Sequence, residues 1–494
     1  MKDVDDLGLI IESSVPIVVL ETVDEKRALE LLTRVAMKKQ LGYHSWSITE
    51  GISRLGLGDV FPVEGDAESP AEVLKSIKRS NAPSIYALCD FHPFLPGNPE
   101  HVRLLKDIAL NYQSLRHTLV LISHEVDIPP ELQHYCARFS MTLPGDAQIM
   151  AIVREEIAEW SKDNSALPVK TDQPTLKKLI KNLAGLSRQD VRRLARSVIR
   201  DDGAITEDDL PEVNKAKFEL IDMEGVLSFE YDTEKFSAVG GLDNLKQWLE
   251  HRQAIFLNTA RHGIDRPRGV MLLGMQGSGK SLAAKSIAGL WGVPLLRLDM
   301  AALYNKYMGE TEKNLKKSLR QAELMSPCVL WIDEIEKGLA TSDSDDGTSR
   351  RILGTLLTWM AEREANVFIV ATANDVSRLP PELMRKGRMD EIFFVDLPKP
   401  SVREDIFSIH LTKRNFDPAN FLLPELAEKA EGFSGAEIEQ AVVAALYSAS
   451  ARRQPLSSSD IVEQLESTYP LSVVMAEDIG QLRAWAADRT VSAG

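Results

Sequence analysis

Residues 270–281 read VMLLGMQGSGKS, and residues 282–291 continue as LAAKSIAGLW. An apolar run gives way to a glycine-rich turn and then to a helical pattern, the context in which the spacing G-x-x-x-x-G-K-[ST] binds phosphate. Gly274, Gly277 and Gly279 let the main chain turn its N–H groups inward, and Met275, Gln276 and Ser278 supply the intervening amides. Leu282 lies in the first turn of the helix, whose N-terminus adds partial positive charge. Lys280 is spaced to reach the β and γ phosphates of a nucleoside triphosphate, and the Ser281 hydroxyl to ligate Mg2+.

Outward from this loop, Val329–Glu334 (VLWIDE) is an apolar strand pattern that ends in two carboxylates. Asp333 is expected to hold Mg2+ through its water shell and Glu334 to polarise an attacking water, the division of labour that phosphoryl transfer needs. A further strand pattern, Val367–Ala371, runs through Thr372 and Ala373 to Asn374. An amide there can hydrogen-bond both a γ-phosphate and the lytic water, and so register the nucleotide state.

Composition narrows the partners. The 494 residues, 44% apolar, suffice for several cores. A formal net charge of -15, with neither a Lys/Arg tract nor a basic-aromatic stripe, disfavours nucleic acid as the main partner. Cys89, Cys136 and Cys328 are far apart and mostly within apolar runs, which suggests core thiols in a reducing compartment. The opening MKDVDDLG is acidic where a secretory signal would be basic, and no apolar stretch has the length of a membrane span. A soluble, cytoplasmic protein is expected.

The first half repeats the plan of the second. Val15–Glu21, Ser84–Cys89 and Thr118–Ile122 have the pattern of buried strands separated by helices, an α/β arrangement that favours a mostly parallel sheet. IPPEL at 128–132 answers LPPEL at 379–383, and six residues before the first proline of each pair stand Ser123 and Asn374. Leu143-Pro144 answers Leu397-Pro398, and GLSRQDVRRL from Gly185 answers GFSGAEIEQA from Gly432. Four matches in one order point to a degenerate internal duplication. The expected domains are a P-loop-like α/β domain without a phosphate loop (1–145), a helical subdomain (146–221), a nucleotide-binding α/β domain (222–398) and a C-terminal helical lid (399–494). ETVDEKRALELL, after the first strand, has no glycine with which to cradle phosphate; Asp90 could stand at the metal-side position, but Phe91 follows it where a glutamate would be needed.

These residues resemble the AAA ATPase family, and among its members the bacterial and plastid ATPases first catalogued as conserved plastid open reading frames; LWIDEIEKG, LPPELMRKGRMDEIFFVDLP and PLLRLDM carry the narrower likeness. The resemblance implies an ATP-hydrolysing enzyme with a P-loop α/β module and helical lid, assembled as a homo-oligomer, a hexameric ring. It implies further that Gly240, in the VGG of 239–241, belongs to the adenine-side backbone, and that Arg385 and Arg388 in MRKGRMD are arginine fingers acting on a neighbouring subunit's γ-phosphate. His410 falls where such proteins place a histidine beside adenosine, and Gly435-Ala436 where some carry a small second sensor. Tyr307-Met308-Gly309 matches the family's pore loop, able to grip varied polypeptide through apolar contact. Three functions stay open: remodelling or threading of a protein client, an ATP-gated switch or scaffold presenting a regulatory partner through the N-terminal half, and nucleic-acid remodelling, against which the acidic charge argues.

Overall fold

Alternate residues of each apolar run point to opposite faces of a strand, so a run buried throughout needs a layer on both sides. In a computed structural model, which describes residues 2–55, 60–62, 69–164, 167–221, 226–231, 240–257, 264–304, 311–339, 347–385 and 387–494, two seven-stranded sheets answer that demand. The first contains β1 (Ile17–Glu21), β2 (Gly42–Ser47), β3 (Gly51–Leu55), β4 (Val60–Pro62), β5 (Ser84–Cys89), β6 (Thr118–Ser123) and β7 (Cys136–Phe139), in the order β4-β3-β2-β5-β6-β1-β7. Ile17, Val19, Leu88 and Leu121 enter one core, and Val18, Leu20, Ile85 and Val120 enter the other.

Between the sheets in sequence lie the helices Asp146–Asp163, Gln173–Leu183, Arg188–Asp202 and Asp209–Leu220. This stretch was expected to lack strands, yet the two-residue segments β8 (Lys170–Thr171) and β9 (Ala204–Ile205) pair in parallel there. Runs so short carry no periodic signal. The chain divides into two compact units, residues 1–154 with 186–193, and residues 155–185 with 194–494. Within the second unit, Phe218 and Ile221 pack against the core of the second sheet, and the Lys217 ammonium, nearly buried, donates to the Ala184 carbonyl at 2.5 Å. Burial lowers that lysine to about 8.

The second sheet contains β10 (Leu227–Glu230), β11 (Gly269–Gly274), β12 (Leu295–Asp299), β13 (Cys328–Asp333), β14 (Val367–Ala373), β15 (Glu391–Val395) and β16 (Val491–Ser492), in the order β10-β12-β13-β14-β11-β15-β16. Only β10 runs antiparallel to its neighbour. Five strands of each sheet share one topology: β2-β5-β6-β1-β7 in the first and β12-β13-β14-β11-β15 in the second. In both, the first of the five in sequence lies between the fourth and the fifth. The degenerate likeness of the two halves is thus built into their sheets. Asp90, however, does not occupy the place of Asp333. It follows its strand at φ 50°, as Glu334 does at φ 47°, and Cys89 holds the last strand position that Asp333 holds in the other sheet.

The helices Pro400–Thr412, Leu423–Lys429, Gly435–Ala451 and Ser458–Ser467 form the lid, around Phe407, Leu411, Ile438, Val442 and Ile461. The stretch 476–494, expected within the lid, leaves it. Leu482 and Trp485 of the helix Ala476–Ala486 pack on the α/β core, Arg483 pairs with Asp396 at 2.8 Å, and β16 adds a parallel strand beside β15. Among the described residues no helix is long and apolar enough to cross a membrane.

Candidate nucleotide site

β11 lies between β14 and β15, and its C-terminal end opens into a cavity of about 1180 Å3. A crevice beyond the carboxyl ends of parallel strands is where this sheet architecture binds ligands. Gly277 and Gly279 take φ 79° and 95°, a left-handed backbone that side chains resist. Gly274 is needed for space, since a Cβ there would come within 2.2 Å of the Val395 carbonyl oxygen. The helix Lys280–Trp291 then starts at the cavity wall. Lys280 folds back into the loop, its Nζ donating to the carbonyls of Gly274 (2.9 Å) and Met275 (2.6 Å). Burial lowers its ammonium to about 8, against the pull of Glu336, Asp333 and Glu334. The Ser278 hydroxyl is buried with no hydrogen-bond partner among the described residues. A loop of inward glycines with an orphaned hydroxyl and a buried cation fits a phosphate chain.

On the facing strands, Thr372 organises the acids. Its Oγ1 donates to Asp333 Oδ1 at 2.7 Å and accepts the Glu334 N–H at 3.0 Å. Asp333 Oδ2 accepts from Arg297 at 2.9 Å. Glu334 Oε1 accepts from Asn374 Nδ2 at 3.0 Å, and its Oε2 pairs with Lys337 at 2.6 Å. Behind them, Glu336 accepts the Asn374 N–H at 2.9 Å, and burial raises its carboxyl above the ordinary range. Ser281, exposed on the first turn of the helix, lines the same cavity as Asp333. One hydroxyl and one carboxylate with room for water and phosphate suit Mg2+, which seldom uses an all-protein cage.

The cavity brings together Gly240, Gln276, Gly277, Ser278, Gly279, Lys280, Ser281, Leu282, Asp333, Glu334, Asn374, His410, Gly435 and Ala436. The lid closes on the loop directly: Ala436 N–H donates to the Gly277 carbonyl at 3.3 Å, at the N-terminus of a helix capped by Ser434 and Glu437. His410 Nδ1 lies 3.4 Å from Glu439 Oε1. Arg385 and Arg388 do not line this cavity. Arg385 is exposed, and Arg388 donates to the Leu357 carbonyl at 2.7 Å. Val239 and the residues expected to form a pore loop, Tyr307, Met308 and Gly309, lie outside the described residues.

Four participants escaped the sequence reading: Thr372, Arg297, Glu336 and the segment 492–494, which lines the cavity beside Gly240, Gly241 and Leu242. Glu336 had a signal, a third acid at helical spacing in an apolar setting; the other three had none.

A parallel sheet with a glycine-rich phosphate loop after a central strand, paired acids on a neighbouring strand and a helical lid defines a nucleotide-hydrolysing P-loop module. The AAA model (ATPase family associated with various cellular activities) matches residues 270–397, and the AAA+ lid domain model matches 420–463. Models of the N-terminal and second domains of SpoVK-like AAA ATPases match 3–141 and 147–224. The chain is similar to the uncharacterized AAA domain-containing protein ycf46 of Trieres chinensis, at 34% identity over 98% of this chain and 97% of that one. It is 35% identical to the protein of the same description from Pyropia yezoensis, over 99% and 98% of the two chains. It also resembles the proteasome-activating nucleotidase of Aeropyrum pernix, at 29% identity over 74% of this chain and 87% of the relative. The chain belongs to the AAA ATPase family, with the SpoVK-like domain arrangement, and is an ATPase.

Proposed function

We propose that this protein is an oligomeric, Mg2+-dependent ATPase that uses hydrolysis to remodel a protein client. The observation that carries the catalytic part is the convergence of Lys280, Asp333, Glu334 and Asn374 on one cavity. Lys280 leaves the Gly274 and Met275 carbonyls to meet phosphate oxygens, whose negative charge favours its ammonium form against the effect of burial. Ser281 and Asp333 hold Mg2+, which when bound neutralises charge on the phosphate chain. Glu334, oriented by the Asn374 amide, takes up the proton of the attacking water. Arg385, exposed and outside the cavity of its own chain, is available to a neighbouring subunit, and Arg388 would reach one by leaving the Leu357 carbonyl.

The client reading rests on the Tyr307-Met308-Gly309 motif and on likeness to a relative named as a proteasome-activating nucleotidase. The test is phosphate release and sedimentation with and without a permanently unfolded polypeptide, in wild type and Tyr307→Ala. ATP-dependent assembly, with stimulation that Tyr307→Ala loses, is expected. Assembly without stimulation by polypeptide would favour the switch, for which the N-terminal sheet supplies a presenting surface without a phosphate loop of its own. Stimulation by RNA or DNA that collapses with salt would favour nucleic acid.

A further inference from the structure

Residues 491–494 do more than extend a sheet. Ser492, Ala493 and Gly494 line the nucleotide cavity together with Gly241, Leu242, Val402 and Ile406. Gly240 packs on Ile406 and Gly241 on Val402, so this part of the wall presents main chain and aliphatic side chains, surroundings a purine base prefers to those of its phosphates. Leu242 holds φ 62°, immediately after Gly241 at φ 72°. A left-handed backbone at a non-glycine residue is disfavoured by about tenfold or more in population, so something must hold it.

The bonds around it run to the C-terminal segment. The Ala493 carbonyl accepts the Leu245 N–H at 3.1 Å, and the Ser492 carbonyl accepts Asn244 Nδ2 at 3.1 Å. Ala493 N–H donates to the Phe394 carbonyl on β15 at 2.9 Å. The Gly494 carbonyl accepts from Ser492 Oγ (2.7 Å) and from Lys399 (3.3 Å), the latter at the turn into the lid. Gly494 is packed so closely that a Cβ would lie 2.8 Å from the Leu242 nitrogen. Ala493 is buried with Leu242 and Leu245 in one core.

We infer that residues 491–494 are a positioning element of the nucleotide site: they clamp loop 240–245 in the conformation that receives the base, and bound nucleotide clamps them in return. The inference rests on reading the cavity as the ATP site. Because binding coupling is reciprocal, a segment that favours nucleotide must itself be protected by nucleotide.

Two measurements on the full chain test this. The first is the Kd of a fluorescent ribose-labelled ATP in Gly494→Val and in a chain lacking residues 491–494, with Lys280→Ala in parallel. A rise of about tenfold or more in both segment variants is expected, while phosphate release at saturating ATP changes by less than about threefold. The second is amide hydrogen exchange in wild type, where ADP should slow the Leu245 and Ala493 amides. This readout holds even if a variant folds poorly. Unchanged exchange at both amides, or an unchanged Kd in both folded variants while Lys280→Ala loses binding, overturns the inference and leaves the site intact. Undiminished binding by Lys280→Ala overturns the site reading and the inference with it.

Discussion

Asn374 donates its side-chain amide to Glu334 at 3.0 Å, and its own main-chain N–H is held by Glu336 at 2.9 Å. The amide that is to sense nucleotide is therefore gripped front and back by carboxylates, and its position reports on both. In the N-terminal sheet, Ser123 Oγ donates to Asp90 Oδ1 at 3.0 Å from a comparable place. That contact survives beside a strand end where Glu21 pairs with Arg138 and no glycine turn follows. The first sheet thus has an acid and a hydrogen-bonding partner at neighbouring strand ends, but no glycine turn after β1.

Glu334→Gln should leave ATP binding close to wild type and reduce phosphate release by about a hundredfold or more, the usual worth of a positioned general base. Asn374→Ala should slow turnover less, because Glu334 remains but loses its orientation. Turnover by Glu334→Gln at the wild-type rate, measured under saturating ATP, would remove Glu334 from the mechanism.

Glu336 is 3% exposed, with Oε2 unpartnered among the described residues. Its carboxyl is raised by burial, so between its unfolded and folded values the native state holds the extra proton. Its contribution is present at low pH and is lost as pH rises through the folded value. Glu336→Gln, neutral at every pH and able to accept from Asn374 N–H, should be more stable than the wild type at pH 7 and match it at pH 4. Glu336→Ala should lose about 1–3 kcal/mol by stranding that N–H. Urea denaturation at both pH values decides it.

Lys217 is lowered to about 8 by burial, so from pH 8 upward the unfolded chain binds more protons than the folded one. Stability should rise as pH passes through 8. The buried thiols Cys89 and Cys328, both raised to about 12, oppose this only above the ordinary thiol value near 9. The clean window is therefore pH 7.5 to 9, and Lys280, also lowered to about 8, adds to the same slope in the absence of nucleotide. Lys217→Met should flatten part of that rise; a slope identical to wild type in urea melts would contradict the burial argument.

Much of the site was legible because each part sits at the end of an apolar run. Gly274 closes β11, Asp333 closes β13, and Asn374 follows β14, so periodicity locates them before any geometry is known. The topology of the first sheet was foreshadowed by Ser123 and Asn374 at equal distance from their Pro-Pro pairs. Asp90 was offset by one residue because the apolar run 84–89 closes on Cys89 whereas β13 closes on Asp333, and the match of Asp90 to Glu334 shows only in their shared positive φ. Thr372 was invisible as a polar residue inside an otherwise apolar strand, its partners being set by register against β13. β16 has two residues, too few for any periodic signal, and its role comes from main-chain bonds to distant residues.

Arg385→Ala should leave thermal stability unchanged, since that side chain is exposed, yet should abolish most ATPase activity if it serves a neighbour. Arg388→Ala should also cost about 1 kcal/mol, through the lost bond to Leu357. Mixing Arg385→Ala with wild type in increasing ratio should depress activity below the linear dilution line. Strictly proportional rates would count against action in trans.

Arg297 sets how available Asp333 is. It reaches Asp333 Oδ2 at 2.9 Å from β12 and lies over the Trp331 ring at 4.8 Å, with Glu230 3.9 Å away. A carboxylate already paired with a guanidinium has less negative potential to offer a metal's water shell, and Thr372 occupies the other oxygen. Arg297→Ala should therefore lower the Mg2+ concentration that half-activates hydrolysis, because it frees Oδ2. The partly exposed ion pair itself is worth only about 0.2–1 kcal/mol, so the fold should tolerate the change. Thr372→Val tests the opposite oxygen: it strands the Glu334 N–H and should cut turnover by misaligning Glu334, with a smaller effect on the Mg2+ requirement. A Mg2+ titration of phosphate release separates these outcomes. If Arg297→Ala instead needs more Mg2+, the arginine is holding Asp333 in its metal-facing pose and the competition argument fails.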